Sequence, residues 1–301
     1  MDEGRGADRV LEVVEAGALT TVQDLGRPGR AHLGVPRSGA LDEPALRLAN
    51  RLVGNPESTA GLETTLTGVV FRLARAGTFA VTGAGCAVRV DGRPVAWGSA
   101  ISARAGAEVA VGPATDGVRS YVAVAGGLVP AAVLGSCSTD LLSGLGPAPL
   151  RAGDRLPIGR AHHPPHGTEA VPRPRHGQLR VRLGPRTEWF TSAAIAALDG
   201  AAYAVTADSN RIGLRLSGPV VERRRDDELP SEGMVLGAVQ VPPNGQPVVF
   251  LHDHPTTGGY RGVGVVVGED LPVCAQARPG DRLTLRVVGR PAAGRDRRQP
   301  G

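Results

Sequence analysis

The sequence predicts a mainly β fold arranged as two β domains with a few short helices, and three observations carry that prediction. The 43 glycines and 25 prolines among 301 residues cut the chain into short segments, the mark of many strands joined by tight turns. The apolar segments between them are rich in β-branched residues, and few keep a helical period. A chain of this length buries one large core or two medium ones, and an internal echo favours two. Arg151–Ile158 and Arg278–Leu285 share the pattern R-x-G-D-R-L, and Leu66-Thr67-Gly68 precedes the first as Leu216-Ser217-Gly218 precedes the second. The predicted domains are 10–158 and 178–288, with a linker at 159–177 and flexible tails at 1–9 and 289–301.

Val10–Val14 reads as the first strand. Thr20–Arg30 is a polar loop punctuated by Gly26 and Gly29, and within it Asp24 and Arg27 are either a local ion pair, worth little if exposed, or side chains offered to a cleft. Asp42–Val53 is the best helix: Asp42 is a good N-cap and Pro44 sits in the first turn. Leu41 and Leu46 have staple spacing, Leu46, Ala49 and Val53 make a stripe, and Gly54-Asn55-Pro56 stops it. Short strands follow at Thr78–Thr82, Cys86–Val90, Glu108–Val111 and Tyr121–Ala125, with Asp91-Gly92 the clearest hairpin turn. Ala125–Thr139 is a second Gly/Ser loop in which Val129–Leu134 reads as a helical turn.

Residues 159–177 hold four prolines and no apolar period; His162, His163 and His166 lie there, but the stiff Pro164-Pro165 and the lack of a spaced carboxylate or thiol favour a linker over a metal site. Thr191–Leu198 is a second helix, capped by Thr191 and stopped by Gly200. Met234–Val241 and Val248–Leu251 are apolar strands joined by the turn Pro242-Pro243-Asn244-Gly245. Thr256-Thr257-Gly258-Gly259-Tyr260 then offers two hydroxyls, bare backbone N–H groups and a phenol, a donor density suited to a small polar ligand. Between them, His252 and His254 flank Asp253 on a predicted strand end. Alternation puts the histidines on one face and Asp253 on the other, and either face could supply an acid–base group.

Composition excludes much. The net charge is +5 and the pI about 9.8, yet all 34 basic residues are arginine and they are scattered, as codon bias in a GC-rich genome would leave them. Arg223-Arg224-Arg225 is answered at once by Asp226-Asp227-Glu228. With aromatics at 3% and no groove-reading motif, a nucleic-acid partner is not expected. The absence of lysine rules out a Schiff base, a P-loop lysine and covalently attached biotin or lipoate. Cys86, Cys137 and Cys274 are odd in number and widely spaced, which fits a reducing, cytoplasmic setting without a metal site. No apolar leader or membrane span is evident.

Several motifs in order resemble one family. They are Thr21-Val22-Gln23-Asp24-Leu25-Gly26-Arg27, Leu48–Asn55, Val124–Gly127, Gly135-Ser136-Cys137-Ser138-Thr139, Arg211–Leu216, Gln240-Val241-Pro242 and Thr256–Tyr260. Together they resemble the C subunit of the bacterial ATP-dependent 5-oxoprolinases, a family also called allophanate hydrolase subunit 2, over about Val10–Val288. The resemblance implies two cyclophilin-like β-barrel domains and a complex with a smaller B-like subunit (of the sporulation kinase inhibitor type) and an amidohydrolase-like A subunit. It implies conversion of 5-oxoproline to glutamate with ATP, whose site this chain does not reveal. For a small amide or lactam it implies Gln23, Asp24 and Arg27 on one wall. Ser231, Gln240, Asn244, Thr256, Thr257, Gly258, Gly259 and Tyr260 hold the ligand, and Asp253 or Glu232 handles protons. Asn210 and Ile212 stand where that family carries Asp and Met, and His254 is also a departure. Two alternatives follow: a carboxyltransferase subunit for urea or another amide, with biotin on another chain, and a non-catalytic partner that sequesters the B-like subunit.

Overall fold

The computed structural model describes residues 9–166, 169, 177–225 and 230–289. Residues 1–8 and 290–301 of the predicted tails, residues 167, 168 and 170–176 of the linker, and the acidic run Asp226–Glu228 lie outside the described residues. The chain divides into two units, the first comprising residues 1–174 with 252–254 and 275–278, the second the remainder. The architecture is mainly β and corresponds to two cyclophilin-like β domains, one a half-barrel and one a closed barrel.

The first unit is a nine-stranded sheet whose spine is two long antiparallel strands, Gly77–Val90 and Glu108–Val124, paired from Phe79↔Val124 to Val90↔Val109. The sequence splits each of these into two. Register shifts between Gly83 and Val88 and the polar Thr115–Gly117 break the side-chain alternation, while the backbone ladder, which needs no apolar side chain, runs on. The hairpin turn is as predicted: Asp91 (φ 49°) and Gly92 (φ 76°) are both left-handed, the requirement of a type I′ turn, and they close Val90 onto Arg93. Leu11, Val13, Leu62, Phe71, Phe79, Val109 and Val122 fill the core, with Phe71 and Phe79 edge to face at 5.8 Å.

The helix spans Glu43–Leu52; the Asp42 carboxylate accepts from the Ala45 N–H at 3.1 Å, and Gly54 (φ 75°) follows the end. Leu48, Ala49 and Leu52 pack with Ala80 and Ala123 of the two long strands, and Leu46 with Tyr121. The helical turn expected at Val129–Leu134 is absent. Val133 and Ser136 bridge instead, with Leu134 left-handed (φ 52°), a conformation that a right-handed helical turn cannot contain.

The second unit is a closed barrel of seven strands in the order Gln178–Leu183, Arg261–Val266, Ala238–Val241, Val248–Phe250, Gly213–Ser217, Ala202–Val205 and Arg282–Val287, the last pairing in parallel with the first. The predicted strand Met234–Val241 is shorter than expected. Gly237 is left-handed (φ 80°), a conformation that takes the preceding residues out of the ladder. Thr191 caps the helix Ser192–Leu198 by accepting from Ala194 N–H at 3.1 Å. A helix at Leu271–Gln276 was not predicted, since six residues are too few for a readable period. The echo is geometric as well as textual. Gly153 (φ 90°) and Gly280 (φ 93°) make equivalent turns ahead of the strands Arg155–Pro157 and Arg282–Val287. Their N–H groups bond to Val13 and Val205 carbonyls, each at 2.8 Å. Among the described residues no helix is long and apolar enough to cross a membrane.

Candidate functional site

In the first unit the strand Leu19–Gln23 delivers Gln23, Asp24 and Arg27 to the loop Gly135–Asp140. Asp24 is saturated. Its Oδ1 accepts from Gly26 N–H (2.7 Å), Ser136 Oγ (2.6 Å) and Ser138 Oγ (2.5 Å), and its Oδ2 from Cys137 N–H (2.6 Å). Arg27 is buried and makes no use of Asp24. Its Nη2 donates to the Ser138 carbonyl at 2.5 Å and its Nε to that of Val133 at 3.3 Å, while Nη1 lies 4.0 Å from Asp140. The local ion pair considered from sequence is therefore replaced by two separate anchors. Gln23 donates through Nε2 to the Thr139 carbonyl (3.0 Å) and to Thr21 Oγ1 (3.1 Å). Gln23 Oε1, Arg27 Nη1 and Thr139 Oγ1 are buried and make no hydrogen bond, leaving one donor, one acceptor and one hydroxyl with capacity for a ligand.

The segment 252–254 belongs to the same unit and is a turn, not the predicted strand end. Alternation therefore does not sort its side chains: His252, Asp253 and His254 are all buried. Asp253 Oδ2 accepts from Leu141 N–H at 3.2 Å, and the His252 carbonyl accepts from Ser38 N–H at 2.9 Å. Ser38, itself left-handed (φ 54°), donates through Oγ to the Thr139 carbonyl at 2.8 Å. Asp253 is thus joined to the Gln23–Arg27 cluster through Asp140 and Leu141. His252 Nε2 lies 3.5 Å from Glu43. Burial pushes the Glu43 carboxyl up, but the His252 hydrogen bond and the charges of Arg37 and Arg47 hold it below the ordinary value.

Sequence reasoning missed a second buried network in this unit. Glu63 Oε2 accepts from Tyr121 Oη (2.8 Å) and Leu41 N–H (2.9 Å), and Arg119 Nε stands 3.6 Å from Oε1. Tyr121 Oη accepts from Asp42 N–H at 2.8 Å, and Gln276 Nε2 donates to Asp42 Oδ2 at 2.8 Å. Burial, and then the Glu63 and Asp42 charges, push the Tyr121 phenol well up, so it stays a donor. Burial also raises the Asp42 carboxyl above its ordinary value. A raised acid binds its proton more tightly folded than unfolded, so stability falls as pH rises from about 3.8 through the higher folded value. Asp42→Asn keeps the cap and is expected to flatten that part of the pH–stability curve, as urea unfolding across pH 3.5–7 would show.

In the second unit Gln240 is buried and donates through Nε2 to the Tyr260 carbonyl (2.7 Å) and to Met234 Sδ (3.0 Å). Gly258 packs so closely on Gln240 that a Cβ there would lie 3.1 Å from Nε2. Glu232-Gly233 and Thr257-Gly258 form a two-stranded ribbon, with the Met234 N–H on the Thr256 carbonyl at 2.8 Å. So Gln240 and Thr256–Tyr260 do come together locally. Glu232 and its neighbour Ser231 are exposed, and Glu232 is ion-paired with Arg186. Asn244 serves its own turn, accepting from Gln246 N–H at 3.1 Å. Asn210 likewise makes a local turn, its Oδ1 accepting from Ile212 N–H at 2.8 Å.

No thiol is activated. Burial raises Cys86 and, with the Asp24 charge, Cys137; burial pushes Cys274 to about 12. Two cavities, of about 510 Å³ beside His162 and His163 and about 690 Å³ beside Phe190 and Asp199, lie away from the predicted residues.

Comparison with known proteins adds sequence-wide likeness. The family model described as carboxyltransferase domain, subdomain A and B, matches residues 33–287. The chain is 41% identical to the 5-oxoprolinase C subunit of Escherichia coli K12 over 278 residues, covering 91% of this chain and 90% of that one. It is similar to the crystal structure of TTHA0988 (37% identity, TM-score 0.83), covering 93% of this chain but 55% of that one. It is also similar to the K. lactis urea amidolyase structure (28% identity, TM-score 0.85), covering 92% of this chain and 18% of that one. The chain thus spans about half of the first of these structures and under a fifth of the second.

Proposed function

The chain belongs to the family of the carboxyltransferase domain, subdomains A and B, and from that premise we propose that it is the C subunit of an ATP-dependent 5-oxoprolinase complex. In this reading it opens the lactam of 5-oxo-L-proline to L-glutamate together with a B-like subunit and an amidohydrolase-like A subunit. The observation that carries the reading is the 41% identity to a 5-oxoprolinase C subunit over nine-tenths of both chains. The residues proposed to contact a ligand are Gln23, Asp24 and Arg27 within the first unit and, taken separately, Ser231, Gln240, Asn244 and Thr256–Tyr260 within the second. Of the two residues proposed for proton transfer, Asp253 is the better placed. It is fully buried next to the Gln23–Arg27 cluster, whereas Glu232 is exposed and neutralised by Arg186. ATP is the complex's substrate here, and no residue of this chain is assigned to it.

Reconstitution tests the reading. Co-expressed with B-like and A-like partners and given ATP, the chain should release glutamate from 5-oxo-L-proline, with no release when any one of the three is omitted. A complete set of three that assembles and yields no glutamate would overturn it. The urea amidolyase likeness favours a second reading, carboxyl transfer to urea or another amide. Because the chain contains no lysine, biotin would have to come from another protein, and avidin would then abolish activity.

A further inference from the structure

Arg261, the first residue of the barrel strand Arg261–Val266, is 5% exposed and carries a full positive charge into the second unit. The carbon of its guanidinium lies over the Trp189 ring, with Cζ 4.5 Å from the centroid. The Trp189 main chain is anchored on both sides, its N–H donating to the Arg186 carbonyl (3.2 Å) and its carbonyl accepting from Arg224 N–H (2.8 Å). A cation–π contact is not a hydrogen bond and leaves the guanidinium N–H groups to find acceptors elsewhere. Nε and Nη2 are buried and make no hydrogen bond. These two nitrogens share one edge of the planar group, where their N–H bonds point the same way. That edge is the fork that fits the two oxygens of a carboxylate.

Among the described residues no carboxylate accepts from the fork. Glu232, on the ribbon that precedes Tyr260, is already paired with Arg186. A second cation, Arg225, lies over the same ring at 5.6 Å, which adds positive potential rather than relieving it. The backbone just before Arg261 is anchored by Gln240, whose amide donates to the Tyr260 carbonyl at 2.7 Å. Trp189 is half-buried and Tyr260 exposed, which puts the site near the surface.

We propose that the Nε/Nη2 edge of Arg261, backed by Trp189, is a binding site for the carboxylate of a small organic acid. The identity of that acid as 5-oxo-L-proline or L-glutamate rests on the function proposed above; the anion site does not. Trp189 is its own reporter, because the chain has only one other tryptophan, Trp97. In the full-length chain carrying Trp97→Phe, titration with acetate and with 5-oxo-L-proline should change Trp189 fluorescence saturably. The neutral carboxamide of 5-oxoproline should bind roughly 10- to 100-fold more weakly, the loss of one charge-assisted pair. Arg261→Gln should abolish the response, and Arg261→Lys, which keeps the charge but not the fork, should retain part of it, both with unchanged circular dichroism. Equal binding of acid and carboxamide, an undiminished response in folded Arg261→Gln, or inorganic phosphate binding tighter than either acid would overturn the proposal. Acetate binding without 5-oxoproline binding would leave the anion site standing and count against 5-oxoproline as its ligand.

Discussion

Asp253→Asn is expected to lower glutamate formation by the reconstituted complex by roughly 10²–10⁴-fold, the range for losing a general acid or base, while leaving the chain folded. The asparagine is isosteric, and its Oδ1 can still accept from Leu141 N–H, the contact Asp253 makes at 3.2 Å. Packing should therefore change little, although the residue is fully buried. A proton-handling role and a purely structural one then give different signatures. Proton handling predicts a fall in kcat with near-constant KM for 5-oxoproline and an unchanged melting temperature. A structural role predicts that activity and melting temperature fall together, or that neither moves. Glu232→Gln serves as the comparison. It should cost little activity, since Glu232 is exposed and paired with Arg186.

The elements legible in the sequence were those whose cause is local. Asp42, Pro44 and Gly54 mark the first helix because capping and φ preferences act within a few residues, and Asp91-Gly92 marks its hairpin for the same reason. The R-x-G-D-R-L echo was legible because a glycine turn followed by a strand is written in consecutive residues. The long strands Gly77–Val90 and Glu108–Val124 were not, because their continuity is a matter of cross-strand pairing through bulges. The same division holds at the site. The polar character of Gln23–Arg27 and Gly135–Thr139 could be read, but not that they bind each other across more than a hundred residues. The turn at 252–254 defeated the alternation argument, and Arg261 drew no notice because its distinction lies in Trp189, far from it in sequence.

Asp24→Ala is expected to destabilise the chain by about 3–5 kcal/mol, the range for stripping one partner from a set of charge-assisted hydrogen bonds. The carboxylate is the common acceptor for Gly26 N–H, Cys137 N–H and the Ser136 and Ser138 hydroxyls. Ser136 and Ser138 are buried, so these donors would be left without a partner and away from water. Asp24→Asn should cost nearly as much despite its shape. An amide has one acceptor oxygen, and its NH₂ would face either the Cys137 N–H or the cluster of donors at Oδ1. Urea unfolding measures the loss. Cys137 gives a local reading, because its thiol is held up by burial and by the Asp24 charge. Freeing the loop and removing that charge should both speed its reaction with a thiol reagent. Rapid modification with little loss of global stability would place Asp24's effect in the Gly135–Asp140 loop alone. A variant with neither change would show that these four contacts do not hold the loop in solution. Arg27 would then lose its footing too, since its guanidinium depends on the Ser138 and Val133 carbonyls that the same loop presents.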